Sequence, residues 1–174
     1  MAQQYIPQSV PSDGTVALWW VPVIADPAAP KVSELTGVDV VALQCYLKEN
    51  FSPDASSEDV EDRRMCSKQV FQRGGMVTYT IDDLIGIMDP QGKLGDSNKA
   101  YEALAPGSIG YLVARWGIDL EGAEAEPAAG QTVDVYHVEI GHRSKLPQEA
   151  NSQLKFKAKP RVISTFNEDV VLAA

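Results

Sequence analysis

Basic residues, histidine and cysteine are scarce in this 174-residue sequence, and each scarcity excludes a class of function. There are 15 Lys and Arg residues against 24 Asp and Glu, which gives a formal net charge of -9. Proteins that hold nucleic acid by neutralising phosphates need a basic surface, so that mode of binding is not expected. The two cysteines, Cys45 and Cys66, lack C-x-x-C or Cys/His zinc spacing. We therefore expect no metal, no cofactor, and two reduced, packed thiols.

Long apolar runs and catalytic signatures are also missing. No apolar run approaches the ~20 residues of a membrane helix, and the opening MAQQYIPQSV lacks the charged start and apolar core of a signal peptide. The sequence contains no G-x-S-x-G, Walker-type phosphate loop or dinucleotide fingerprint. These absences predict a protein that is made in a cytoplasm, has no membrane partner and is not an enzyme.

His137, Glu139 and His142 form the one constellation that resembles a set of metal ligands. On a strand, His142 falls on the opposite face from the other two and lies beyond Gly141. A small β-rich enzyme that uses His137 and Glu139 is kept as the weakest of three functional hypotheses.

What the sequence does contain is mostly strand patterning, and two segments are apolar on both faces. In TVALWWV, residues 15–21, one face carries Val16, Leu18 and Trp20, and the other carries Ala17, Trp19 and Val21. SIGYLVARWGI, residues 108–118, has the same property. A central strand under a helix accounts for one such segment, so we expect a face of the other to meet another subunit. Further strands are predicted at 38–47, 64–72, 76–82, 132–140 and 154–166.

The remaining elements complete a mainly β prediction: a β-sandwich or barrel with one short α-helix and a long acidic loop. Residues 97–107 predict the helix, with Ser97 as N-cap, and residues 33–37 predict a single helical turn. Arg73-Gly74-Gly75 predicts the turn of a hairpin between 64–72 and 76–82. A phase change in 132–140 indicates a bulge or a strand covered on both sides. We expect one domain, 1–174, with a flexible N-terminus over 1–13 and loops at 48–64 and 119–130.

Two charged patches of opposite sign stand out. The long loop carries the acidic run Glu58, Asp59, Glu61 and Asp62, and one face of the last predicted strand carries the basic row Lys155, Lys157 and Lys159. The lysines are typical of a solvated edge strand that is protected from aggregation. They also suit a contact with the acidic run of a neighbouring copy. Both interpretations stay open.

The order of these segments resembles a known family. The quoted stretches are, in chain order, ADPAAPKVSELTGVDV, CYLKENF, DRRMCSKQVFQRGG, MDPQG, ALAPGSIGYLVARWG, AAGQTVDVYHVEIG and FNEDVVLAA. Together they resemble the major tail proteins, or tail tube proteins, of siphophages that infect actinobacteria. The resemblance spans nearly the whole chain and rests on turns and strand phases, since no catalytic signature is involved.

The resemblance implies a β-sandwich virion protein, made in the host cytoplasm, that forms homo-hexameric rings. Stacked rings enclose a tape-measure protein, contact other tail proteins and later pass DNA without binding it. The candidate inter-subunit interface is then Trp19, Trp20, the acidic run and the basic row. The alternative function is a monomeric or trimeric β-sandwich interaction module, such as a capsid decoration or head-tail joining protein.

Overall fold

The computed structural model describes residues 7–48, 51–92, 95–122 and 124–174. Two short helices lie in these ranges, α1 (Val32–Leu35) and α2 (Lys99–Ala103), and a 3-10 turn, Gly95–Asn98, precedes α2. The strands of the described ranges are β1 (Val16–Val21), β2 (Val41–Ala42), β3 (Pro53–Arg63), β4 (Val70–Ile81), β5 (Leu84–Ile87), β6 (Ile109–Trp116), β7 (Thr132–Lys145), β8 (Lys155–Val162) and β9 (Asn167–Val171). The mainly β class predicted from the sequence is confirmed.

One large antiparallel sheet has the order β2-β1-β6-β7-β8-β5, and it curls into a half-barrel. β7 is its longest strand and has two neighbours on the side away from β6. Its first residues pair with β9, and its later residues pair with β8. β3 and β4 pair only with each other and form a separate two-stranded sheet.

Both faces of β1 and β6 are buried within the single chain. Leu18 and Trp20 of β1 belong to a core that includes residues of α2, while Trp19 belongs to a second core on the opposite face. That second core is closed by Leu35 of α1 and by Leu172 near the C-terminus. The expectation that one face of these strands meets another subunit is therefore wrong. The expectation failed because segments distant in sequence fold back and cover the second face within the same chain.

The phase change in β7 reflects a strand that is covered on both sides, and a bulge follows it further along the strand. Val133 and Val135 lie in the second core, whereas Tyr136 and the later apolar residues lie in the first, so the strand is covered on both sides. The register against β8 also shifts between Ile140 and Arg143, which marks a bulge.

The predicted long loop over 48–64 is corrected by the structure, since Pro53–Arg63 is strand β3. Glu49 and Asn50 lie outside the described residues. The predicted hairpin is also wrong, because Val70–Ile81 runs as one strand through Arg73-Gly74-Gly75, and the actual turn spans 64–69. Gly74 pairs with Asp59, and Gly75 lies with Met76 in a bulge, at which the register shifts between Ser57 and Asp59.

Smaller corrections concern the predicted element ends. The strand expected over 38–47 shrinks to Val41–Ala42, because the amides of Tyr46 and Leu47 donate to the Leu43 carbonyl and bend the chain. The helix expected from 97 begins at Lys99 with Asn98 at its N-cap position, and α1 coincides with the turn predicted near 33–37. Residues 1–6 of the expected flexible N-terminus lie outside the described residues, and 7–13 form neither helix nor strand.

Candidate interaction surfaces

The three candidate metal ligands do not form a site. The His137 ring stacks on Tyr111 with centroids 4.4 Å apart, and Glu139 lies 3.9 Å from the guanidinium of Arg161. His142 is exposed within the bulge of β7. Cys45 and Cys66 are both exposed, which corrects the expectation that they are packed. Within the described ranges, no three His, Cys, Asp or Glu side chains are grouped as metal ligands. The arrangement therefore offers stacking and ion pairing, as ordinary sheet-surface residues do.

The two tryptophans proposed as interface residues are buried in the chain itself. Trp19 is 5% exposed and Trp20 is 4% exposed. The Arg115 guanidinium lies 5.3 Å from the centre of the Trp19 ring. Neither tryptophan offers surface to another subunit in this conformation, which corrects that part of the predicted interface.

The most exposed feature of the fold is the hairpin formed by β3 and β4. Its base is anchored by Ile81, which is buried, and by Tyr79, whose ring lies 4.6 Å from that of Phe166. Beyond this base, the apolar side chains are open to solvent. The half or more exposed examples on the two strands are Val60, Phe71, Met76 and Val77, with Val70 at 49%. Three of them, Val60, Phe71 and Met76, lie on one face of the hairpin according to its register.

Arginines near the hairpin turn neutralise part of the acidic run. Arg63 donates to Glu61 at 2.7 Å, and Asp62 receives Arg64 at 3.0 Å and Arg73 at 3.4 Å. Asp62 and Arg73 come together because β3 and β4 pair, which the sequence prediction missed by treating this stretch as a loop. Glu58 and Asp59 have no ion pair among the described residues.

The basic row also has partners within the chain. Lys155 donates to Glu149 at 2.8 Å, and this hydrogen bond, with the charge of the ammonium, lowers the pKa of the Glu149 carboxyl. Lys157 lies 3.0 Å from Asp83, whereas Lys159 has no ion pair among the described residues. The edge-strand interpretation is wrong for the first two lysines, since β8 is paired with both β5 and β7 there. Contact between the two patches of different copies stays a prediction.

An open groove of about 550 Å³ lies where β1 and β6 meet the start of the hairpin. Its apolar lining consists of Val16, Leu18, Leu47, Phe51, Trp116 and Leu120. Trp116 is 44% exposed although it is one of the largest apolar side chains. A partly exposed aromatic floor of this kind is typical of a binding surface.

A chain of aromatic rings connects this groove to the base of the hairpin. The ring centroids are 6.4 Å apart for Trp116 and Phe51, 5.4 Å for Phe51 and Tyr136, and 4.6 Å for Tyr136 and Phe166. Phe166 then contacts Tyr79 of β4. Offset and edge-to-face pairs of this type add to the apolar burial, so the groove and the hairpin base are packed as one unit.

Asp134 holds two rings of this aromatic chain, Trp116 and Tyr136, by hydrogen bonds. One of its carboxylate oxygens accepts the Trp116 indole N–H at 2.7 Å and the Tyr136 hydroxyl at 3.3 Å. The other accepts the amide of Asp169 at 2.8 Å, where the register between β7 and β9 shifts. Burial, together with the charge of Asp134, raises the pKa of Tyr136. The phenol is therefore held neutral and donates its proton to Asp134.

Arg115 holds the acidic loop that follows β6, although sequence analysis did not single it out. It is fully buried, and its guanidinium donates to the carbonyls of Ala125 and Glu126 at 2.6 and 3.1 Å and to the Gln131 side chain at 2.9 Å. Its Nε has no partner among the described residues. Burial lowers the pKa of Arg115, and the Glu126 carboxylate opposes that effect. The one feature of the sequence that could have indicated this role is the position of a charged residue inside the apolar stretch LVARWG.

Comparison with known proteins shows the family to which the chain belongs. The model of a family described as phage tail tube protein matches residues 3–174. The chain belongs to the phage tail tube protein family. As a tail tube protein it is a structural component of a phage tail, which fits the expectation that it is not an enzyme.

A solved structure supports the fold of this tail tube protein. A chain in the six-fold symmetrised cryo-EM structure of the anti-feeding prophage baseplate is similar, with a TM-score of 0.52 and 10% sequence identity. The match covers 92% of this chain and 95% of that chain. No curated protein matches the sequence. Among the described residues, no helix is long and apolar enough to cross a membrane.

Proposed function

We propose that the protein assembles into stacked homo-hexameric rings that form the tail tube of a long-tailed phage. In this proposal the whole chain, 1–174, is one domain. The tube encloses a tape-measure protein during assembly, contacts other tail proteins at its ends and delivers DNA during infection. The protein is made in the cytoplasm of the host, for which the resemblance indicates an actinobacterium.

The exposed β3–β4 hairpin is the observation that carries this proposal. An isolated two-stranded hairpin is marginally stable in water, because only one pair of strands shares its hydrogen bonds and no core covers it. Here the outer part exposes Val60, Phe71 and Met76 on one face. Because these side chains are already about half buried, covering the rest of each one contributes about 1–2 kcal/mol. A second copy of the chain supplies that cover in a self-assembling protein.

Two further observations support the ring number and the passage of DNA. The structurally similar baseplate chain comes from a six-fold symmetrised assembly, and we extend that symmetry to this chain. The formal net charge of -9 suits a conduit, because an overall negative wall does not retain phosphates. We accordingly propose that DNA passes through without specific binding.

Shortening the hairpin tests the proposal. Residues 57–77 are replaced by Asn-Gly, a two-residue turn that joins the paired Ser56 and Thr78. We expect tubes from the full chain in negative-stain electron microscopy and only folded single subunits from the shortened chain, with near-ultraviolet circular dichroism to verify folding. Tubes from the shortened chain, or a closed trimer or monomer from the full chain, contradict the proposal. The latter result favours a decoration or joining module.

A further inference from the structure

The first twelve residues of the chain, MAQQYIPQSVPS, contain no charged side chain, whereas charged residues make up 22% of the whole sequence. Apolar side chains occur among them at Met1, Tyr5, Ile6 and Val10. Side chains of these types are usually covered in a folded protein. The composition of this segment therefore favours contact with a protein surface over contact with water alone.

The described part of this segment runs along the rim of the open groove. The Thr15 hydroxyl donates to the Pro11 carbonyl at 2.7 Å, which holds the bend before β1. Residues 12–14 form one wall of the groove. The Val10 side chain lies beside Gly117, immediately after β6, where an added Cβ would be 3.9 Å from it. The chain thus joins the fold at the groove itself.

The residues that precede this rim have a short reach and a restricted backbone. Pro7 and Pro11 favour an extended backbone at Ile6 and Val10, the residues before them. The five residue steps from Val10 to Tyr5 span at most about 17 Å. Tyr5 therefore stays near the groove of its own chain. A backbone that is already restricted loses less conformational entropy when the segment docks.

The groove combines an aromatic floor with a polar rim that carries no net charge. Phe51 and Trp116 form the floor, and the single acid and the single base of the lining are Asp13 and Lys48. The Gln44 side-chain oxygen accepts the amide of Leu18 at 3.3 Å, which leaves its NH2 group as a donor at the rim. Such a lining suits an uncharged side chain with a large ring and a hydroxyl group, because a buried tyrosine hydroxyl needs a hydrogen-bond partner.

We propose that the N-terminal segment, residues 1–6, closes this groove in its own chain. The Tyr5 ring packs against Phe51 and Trp116, and its hydroxyl lies among the polar groups of the rim. This docking takes the place of the flexible N-terminus expected from the sequence. The contact is intramolecular, so it does not depend on the proposed self-assembly. Its role is to cover an apolar surface that otherwise favours aggregation of single subunits.

Tryptophan fluorescence tests the docking in single subunits, below the concentration at which the full chain assembles. Trp19 and Trp20 are buried and Trp116 is 44% exposed, so quenching by acrylamide reports mainly on Trp116. Deleting residues 2–6 should increase the quenching. Tyr5→Ala should reproduce the increase, because loss of a buried aromatic ring shifts the docking equilibrium about tenfold or more toward the open form.

Gln4→Ala is the matched control for Tyr5→Ala, since it truncates a neighbouring side chain that has no ring, and it should leave the quenching unchanged. In a Trp116→Phe background, deletion of residues 2–6 should have no effect, which assigns the signal to Trp116. Equal quenching of the full and shortened chains overturns the proposal, as does an equal increase from Tyr5→Ala and Gln4→Ala.

Cross-linking decides which chain holds the segment. Cys45 is exposed and follows the groove residue Gln44. In a Cys66→Ser background, a short bismaleimide should join Gln4→Cys to Cys45 within one chain, as a monomer in denaturing gels that peptide mass spectrometry identifies. Adding Tyr5→Ala should lower the yield.

The matched control for the cross-link keeps Cys66 and carries Cys45→Ser. It should give no link to Gln4→Cys, because Cys66 lies in the turn at the far end of β3. A dimer in place of the linked monomer, or a yield that Tyr5→Ala does not change, overturns the docking in its own chain. All these measurements use single subunits, so their failure leaves the proposed tube intact.

Discussion

Replacing Arg115 by alanine should open the acidic loop at 119–130 and destabilise the subunit. The substitution removes the donor from two loop carbonyls and from the Gln131 side chain, and it uncovers one face of the Trp19 ring. A hydrogen bond from a charged group contributes about 1.5–3 kcal/mol net. Three such bonds are partly offset, because removing the guanidinium also removes a buried charge whose Nε has no partner among the described residues. We expect a net loss of about 3 kcal/mol.

For a domain of this size, that loss lowers the melting temperature by about 6–12 °C. Thermal unfolding followed by near-ultraviolet circular dichroism measures it, and limited proteolysis locates the opening in the loop. Arg115→Lys is the matched variant: it keeps the charge but loses the forked geometry, so an intermediate value is expected. A melting temperature within about 2 °C of the unmodified chain for Arg115→Ala, with no new cleavage in the loop, refutes this reasoning.

Three further outcomes follow from single positions. Gly75→Ala should increase amide hydrogen exchange across β3 and β4, because an added Cβ would lie 2.7 Å from the Glu58 carbonyl oxygen. The control Gly74→Ala should leave the exchange unchanged, because its Cβ would meet nothing within 4 Å. Equal exchange in both variants contradicts the bulge argument. Because the pKa of Tyr136 is raised above its ordinary value of 10.0, the folded state binds the phenol proton more tightly, and stability should fall as pH rises above about 10. Tyr136→Phe should lose that part of the alkaline decline in urea unfolding, and an unchanged pH profile counts against it. Lys159→Glu reverses the charge of the one lysine of the basic row that has no ion pair among the described residues. If the row meets the acidic run of a neighbouring copy, this variant should assemble at most about fivefold more weakly at low salt and equally well at high salt. Assembly that does not change with salt argues against that contact.

The central strands β1, β6 and β7 could be predicted from the sequence because a buried strand face leaves apolar side chains at fixed positions. β1 and β6 are apolar on both faces, β7 is apolar first on one face and then on the other, and their predicted ranges agree with the structure within five residues at each end. What the pattern did not contain is the identity of the covering segments. Leu35 and Leu172 close the second core from distant parts of the chain, and no local periodicity indicates that contact.

The hairpin was missed for the opposite physical reason. β3 reads PDASSEDVEDR, which combines turn-forming and acidic residues with a single large apolar side chain. Strand prediction relies on a buried face, and this strand has none within its own chain beyond Pro53. Its pairing with β4 stabilises it instead.

The most direct test of the account is a cryo-EM reconstruction of assemblies formed by the purified full chain. The account predicts stacked rings of six copies in which the β3–β4 hairpin leaves its own subunit and is buried against other copies. A tube whose hairpins remain exposed to solvent, or a particle that closes without stacking, contradicts the claim that this hairpin drives assembly.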